Sequence, residues 1–232
     1  KNAEEAASLF INDAKQSSGI NGLQQFQVPE ELTQGVFSRF TPMTDLRGNS
    51  TEFVERMDHI GIASNNNIIA ESIFARKLGL PVESRQTDME VKVSMESFTS
   101  DKYGVIYKTR PPETMGGLRV SFITIGDTEL EFLENFNDQH RAEISHGTPG
   151  NTKQDQGAIT KYVDKHGPGL HHLAFKTPDI NQTLKHLEKH NFRLIDTIGR
   201  EGSRRSLIGF IHPASTGGVL IHFVEREEIP NA

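Results

Sequence analysis

Gly169-Leu170-His171-His172-Leu173-Ala174-Phe175-Lys176 has an echo far upstream in Met57-Asp58-His59-Ile60-Gly61-Ile62-Ala63. Both runs alternate as strands do. Each leads into a helical pattern, Asn67 to Leu78 before Gly79-Leu80-Pro81 in the first case and Asp179 to His190 before Asn191-Phe192 in the second. Further apolar runs follow in each copy. Leu118 to Ile125 and Thr128 to Glu134 are joined by Gly126-Asp127, a strong two-residue hairpin signal, while Ser206 to His212 and Gly218 to Glu225 are joined by Pro213 to Gly217. Internal similarity at this scale governs the whole fold. It predicts an α+β chain of two βαβββ modules that together form a curved mixed-sheet groove.

Working outward from these modules gives the domain plan. Residues 1–56 read as an N-terminal helical extension and linker, because Ala6, Leu9, Phe10 and Ala14 fall at helical spacing within Ala3 to Lys15. A loose segment with Pro29, Pro42 and Gly48 follows, and a short helix is expected within Glu30 to Phe40. The first module covers 57–136, 137–168 is an inter-module linker, and the second module covers 169–228. His59 and Glu131 are 72 positions apart, whereas His172 and His222 are 50 apart, so the first copy carries about 22 extra residues. They belong to an insertion near 83–117, and a long excursion of this sort acts as a lid or a contact arm.

The 232 residues, 34% hydrophobic and 24% charged, describe a globular chain. No stretch approaches the roughly 18 consecutive apolar residues of a membrane helix, and no basic segment precedes an apolar run at the N-terminus. The expectation is a cytoplasmic protein with no membrane partner. A formal charge of −6, with Lys and Arg scattered, excludes a basic stripe for nucleic acid. There is no cysteine, so any metal must be held by His, Asp, Glu or Gln. Among the ten histidines, His140, His146 and His190 sit in polar surroundings that suggest the surface.

Four side chains fall at equivalent points of the repeat: His59 and His172 on the opening strands, Glu131 and His222 on the closing ones. Paired modules would bring them into one groove, where imidazole and carboxylate suit a borderline divalent metal. A lone strand histidine is more often a hydrogen-bonded structural residue. Four matched positions are harder to explain that way, because Glu131 and His222 lie among apolar neighbours where an unpaired polar group is costly.

The run 169–175, Pro178-Asp179-Ile180, and Phe210-Ile211-His212-Pro213 with Gly218-Val219-Leu220-Ile221 resemble the methylmalonyl-CoA epimerases. These belong to the vicinal oxygen chelate superfamily of glyoxalases, bleomycin-resistance proteins and dioxygenases. The resemblance runs from Met57 to Glu225; in the first half it rests on Asp58-His59, Leu78-Gly79-Leu80 and the hairpin from Gly116 to Leu133. It implies His59, Glu131, His172 and the residue at 222 as ligands of a divalent metal ion (Co, Zn, Mn, Ni or Fe). In the epimerases the last position looks like a glutamate that helps to move the substrate proton. This chain has His222 there, which acts as a ligand or, with Glu131, as a catalytic residue whose imidazole takes up a proton near neutrality.

One carboxylate on a divalent ion leaves a net +1, which favours an anionic chelate such as an enediolate or a catecholate. The implied activity is a metal-dependent isomerase of the epimerase or racemase type that removes a proton next to a carbonyl. Its partner is a small molecule, acyl-CoA esters among the candidates, and the resemblance implies a homodimer. Arg204 and Arg205 stand where the family is glycine-rich and either meet a carboxylate or phosphate or form a solvated loop. Tyr107, with Tyr103 and Arg110, either closes over a substrate or lies on the surface. His171 and His212 recur in the family pattern as supporting residues. Three alternatives stay open: a non-haem Fe(II) dioxygenase using two His and one carboxylate, a glyoxalase-type lyase, and a ligand-sequestering binding protein.

Overall fold

The computed structural model describes residues 2–19, 22–43, 50–136 and 152–227. His140, His146 and Gly48 lie outside the described residues. The first module begins with strand β4 (Arg56–Ser64), runs through helix α2 (Asn67–Glu71) and a π-helical turn (Ser72–Lys77), and continues into β5 (Val82–Lys92), β8 (Glu113–Ile125) and β9 (Thr128–Phe136). The second repeats the order with β10 (Gly169–Lys176), α4 (Ile180–Lys189), β11 (Arg200–Glu201), β12 (Leu207–Ile211) and β13 (Ile221–Glu225). All of these strands join one eight-stranded sheet in the order β11-β12-β13-β10-β4-β9-β8-β5. Each module pairs its opening strand parallel to its closing strand, β4 with β9 and β10 with β13. The modules meet where β4 and β10 run antiparallel.

Side-chain alternation then separates two faces. Ile62 and Phe132 point to one side and pack with Ala70 and Phe74 of the α2 segment, and Ile180, Leu184, Ile211 and Phe223 do the same beneath α4. Burying each such large side chain contributes about 1.5–3 kcal/mol. The caps fix where these helices start. Asn66 accepts from the backbone N–H groups of Ile68 and Ile69, and Asp179 from that of Gln182. The opposite, concave face carries the four matched residues. Helix α3 (Thr152–His166) covers part of it, packing Ile159, Tyr162 and Val163 on Ala63, Leu118, Val120, Phe122 and Leu133. That helix lies within the segment expected to be a linker.

Two further parts differ from the expectations. The N-terminal helix α1 stops at Ser8 (Ala3–Ser8), and the extension continues as a three-stranded antiparallel sheet of β1 (Lys15–Ser18), β2 (Gln24–Val28) and β3 (Ser38–Phe40). Within Glu30 to Phe40 only a 3₁₀ turn, Glu30–Thr33, is helical. Phe26 and Val28 bury themselves against Ala7, with Phe10, Ala14 and Phe40 around them, so tertiary packing overrides the helical spacing. Gly35, at φ 74°, lets this subdomain approach the main body; a Cβ there would sit 1.8 Å from the carbonyl oxygen of Pro168. The insertion lengthens the β5–β8 ladder and ends in an exposed hairpin of β6 (Met95–Ser100) and β7 (Gly104–Thr109). The hairpin projects as an arm, while Gln86 and Asp88 at the base of the insertion line the groove. Among the described residues no helix is long and apolar enough to cross a membrane.

Candidate metal centre

Every one of the four matched residues is buried, and their polar atoms meet on the concave face across the β4–β10 seam. The Nε2 atom of His59 lies 3.3 Å from Nε2 of His172 and 3.2 Å from Nε2 of His222. Oε2 of Glu131 lies 3.2 Å from Nε2 of both His59 and His172. The three imidazoles offer ligand atoms within 4.8 Å of one another. Ligand bonds of about 2.0–2.1 Å place neighbouring donors roughly 2.9–3.4 Å apart around an ion, so this spacing suits a divalent metal.

How the histidines reach this point follows from the strands. Between Leu170 and His172 on β10 the register against β4 slips by one residue, and it slips again opposite Met57 to His59 on β4. Each slip is a bulge, a device that re-aims side chains. The extra residues are His171 and Asp58, each just before an inward-facing histidine. Both bind the outer nitrogen of that histidine: Asp58 Oδ1 lies 2.7 Å from Nδ1 of His59, and His171 Nδ1 lies 3.0 Å from Nδ1 of His172. Such an outer partner fixes which ring nitrogen faces inward. Gly61 supplies the room, since a Cβ there would stand 2.1–2.4 Å from the His172 ring. His222 is held differently, edge-on to Phe210 at 4.4 Å between ring centroids, and among the described residues its buried Nδ1 has no hydrogen-bond partner.

Electrostatics mark the cluster as a place for positive charge. Burial opposes protonation of His59, but the Glu131 and Asp58 carboxylates more than offset it and raise its pKa to about 9. Burial would raise Glu131, yet the His59 and His172 imidazoles hold it well below the usual carboxylate range. His222 is pushed well below the usual imidazole value by burial and by its two neighbouring rings. His171 falls to about 3, through burial and the adjacent His172. Two ring nitrogens crowded on one carboxylate oxygen, with the His222 nitrogen beside His59, leave lone pairs that a cation would satisfy. The donor set therefore fits a divalent ion.

Beside the cluster lies a cavity of about 450 Å³. Phe122, Phe210, Leu118, Ile159 and Val224 form its apolar wall. Arg204 is among its lining residues, with φ 57° and ψ 32°, a left-handed backbone that costs a non-glycine residue on the order of 1 kcal/mol. Its side chain repays this by reaching the first module. The guanidinium stacks on Phe122 at 3.6 Å and pairs with Glu129 at 2.6 Å, Glu83 at 2.8 Å and Asp58 at 3.8 Å. Arg205 is exposed and is not among the residues lining the cavity. Tyr107 stands exposed on β7, and Arg110 pairs with Glu96 on the arm, so neither closes over the groove.

Sequence reasoning missed Arg226, which pairs with Asp58 at 3.0 Å, and Arg200, which pairs with Asp196 at 3.4 Å; both line the cavity. It also missed α3, although Ile159, Tyr162 and Val163 keep helical spacing. His212 caps the turn Pro213–Ser215 and is structural, and His190 is exposed.

A family model described as the Glyoxalase/Bleomycin resistance protein/Dioxygenase superfamily matches residues 58–210. The uncharacterized protein YqjC of Bacillus subtilis is 27% identical over 172 residues, 74% of this chain and 93% of that protein. The mitochondrial methylmalonyl-CoA epimerase of Dictyostelium discoideum is 26% identical over 111 residues, 47% of this chain and 57% of that enzyme. The chain thus matches only somewhat more than half the length of that epimerase. A crystal structure of methylmalonyl-CoA epimerase from Mycobacterium tuberculosis shares the fold at a TM-score of 0.50 and 22% identity, covering 79% of this chain and 95% of that one. With two bulged strands, two matched modules and a family model that covers the first module and reaches into the second as far as residue 210, the chain belongs to the glyoxalase/bleomycin resistance protein/dioxygenase superfamily.

Proposed function

We propose that this chain is a divalent-metal-dependent isomerase that moves a proton next to a carbonyl in a small substrate carrying two neighbouring oxygens. The observation that carries the reading is the meeting of three imidazole nitrogens and the Glu131 carboxylate at 3.2–3.3 Å. His59, His172 and Glu131 would hold the ion, because each of these two histidines has an outer partner that fixes its ring. Once bound, the ion supplies Lewis-acid polarisation of the substrate oxygens and so acidifies the neighbouring C–H.

His222 completes the site. Among the described residues its Nδ1 has no partner, and its Nε2 lies 3.2 Å from Nε2 of His59, a position that suits a base accepting the substrate proton and returning it. Phe122, Phe210 and the α3 side chains exclude water, and Arg204 fixes the loop 202–206 against the first module. Similarity to the methylmalonyl-CoA epimerases supports an acyl-CoA ester as the first substrate to try.

The test begins with the metal content of purified protein, before and after chelation. Cobalt-loaded protein in deuterated buffer is then given methylmalonyl-CoA and a panel of related thioesters and α-hydroxy ketones. Exchange of the α-proton, lost in His222→Ala, is expected. Metal-loaded protein that exchanges nothing across the panel, and instead consumes oxygen with catechols under Fe(II), would replace this reading with a dioxygenase.

A further inference from the structure

The two inward-facing histidines are served by residues at equivalent bulges, yet the residues differ in what they have left over. Asp58 is fully buried, and beyond His59 it is surrounded by Arg226, Arg56 and Arg204 at 3.0–3.8 Å. His171 has a second nitrogen. It lines the cavity, packs edge-on against Tyr162 at 5.2 Å between ring centroids, and among the described residues no acceptor meets its Nε2. We infer that His171 is a neutral hydrogen-bond donor that binds an oxygen of the chelating substrate beside the ion. The inference rests on the metal reading of the site.

The steps are those of hydrogen-bond direction. When Nε2 of His172 faces an ion with its lone pair, its only proton is on Nδ1. That Nδ1–H, 3.0 Å from Nδ1 of His171, must be the donor of the pair, just as Nδ1–H of His59 donates to Asp58. His171 then accepts at Nδ1, and a neutral imidazole that accepts at one nitrogen carries its proton on the other. Nε2–H is therefore a donor, and His171 lines the cavity from which a substrate oxygen can meet it. The bulge matters here, since in a regular strand residues 171 and 172 would face opposite sides of the sheet. A fixed donor beside developing negative charge is worth more in a water-poor site than in solution. His171 adds to the site a contact that the ion cannot make, and it would favour substrates whose second oxygen becomes anionic.

Zinc-loaded wild-type protein, labelled with ¹⁵N, tests this directly through long-range ¹⁵N–¹H correlations. His171 is expected as the Nε2–H tautomer, with that proton moving downfield when oxalate, a flat mimic of two neighbouring oxyanions, is added. Oxalate titration then compares wild type with His171→Leu and His171→Gln. Loss of one such donor weakens binding roughly tenfold to a hundredfold, so that loss is expected in the leucine variant when it is titrated under saturating zinc, because this variant also loses the anchor of His172, with recovery in the glutamine variant. An Nδ1–H tautomer at His171 in zinc-loaded protein, or a proton indifferent to oxalate, overturns the inference even if the leucine variant does not fold. Unchanged oxalate affinity in His171→Leu overturns it as well. A wild-type protein that takes up no zinc removes the proposed function itself, an outcome distinct from both.

Discussion

The two halves of the sheet aim a histidine inward by the same device and then surround it differently. On β4 the bulged Asp58 is sealed from solvent with arginines around it, and on β10 the bulged His171 stays open to the cavity. Opposite the histidines, His59 faces Ala174 and His172 faces Gly61. Backbone geometry has been kept in both modules, while the chemistry of the supporting residue has not. One module spends its outer position on rigidity and the other leaves it available for contact.

The most severe way to break this comparison is Gly61→Ala. With a Cβ 2.1–2.4 Å from the His172 ring, that imidazole must leave the cluster, and ion uptake measured as metal per chain should be abolished. Ala174→Gly, the mirror change, should leave uptake intact; equal loss in both would mean the modules do not differ here.

Asp58→Asn comes next. It leaves Arg226 and Arg204 with Glu129 as their shared carboxylate, a defect of about 1–3 kcal/mol, and weakens ion affinity by about 10–100-fold through His59. His171→Gln, which keeps an acceptor and strands no charge, should shift stability by less than about 1 kcal/mol. Urea denaturation of the two variants checks the contrast.

His222→Glu sharpens the comparison by giving the second module a closing carboxylate to match Glu131. A carboxylate at this position adds negative charge beside the ion, and divalent-ion binding by calorimetry should tighten on the order of tenfold. The smallest effect is expected from replacing residues 94–111 with a short turn. A two-stranded hairpin contributes little by itself, so metal content should be unchanged and Tm should move by no more than about 2 °C.

Much of this was legible in the residues. The matched runs around His59 and His172 carried strand alternation, helical patterns followed them from Asn67 and Asp179, and Gly126-Asp127 marked its hairpin. Those local signals are enough to place Glu131 and His222 on the closing strands. The bulges were not legible, because a slip in register depends on the partner strand and leaves no local trace in Asp58 or His171. Nor was the N-terminal sheet, whose strand Lys15–Ser18 has no apolar residue and whose strand Gln24–Val28 alternates only at Phe26 and Val28. The arginines fell outside reach for a third reason: Arg204 meets Glu83 and Glu129 from 121 and 75 positions away in the chain, and only the folded seam brings them together.

That seam has a consequence for how such a chain can change. Each half donates two of the four converging groups, His59 and Glu131 from one side and His172 and His222 from the other. Neither half owns a complete grip, so separately expressed halves should be inert until they recombine. Loss of one donor is then shared by both halves, and drift in either is checked by its sibling.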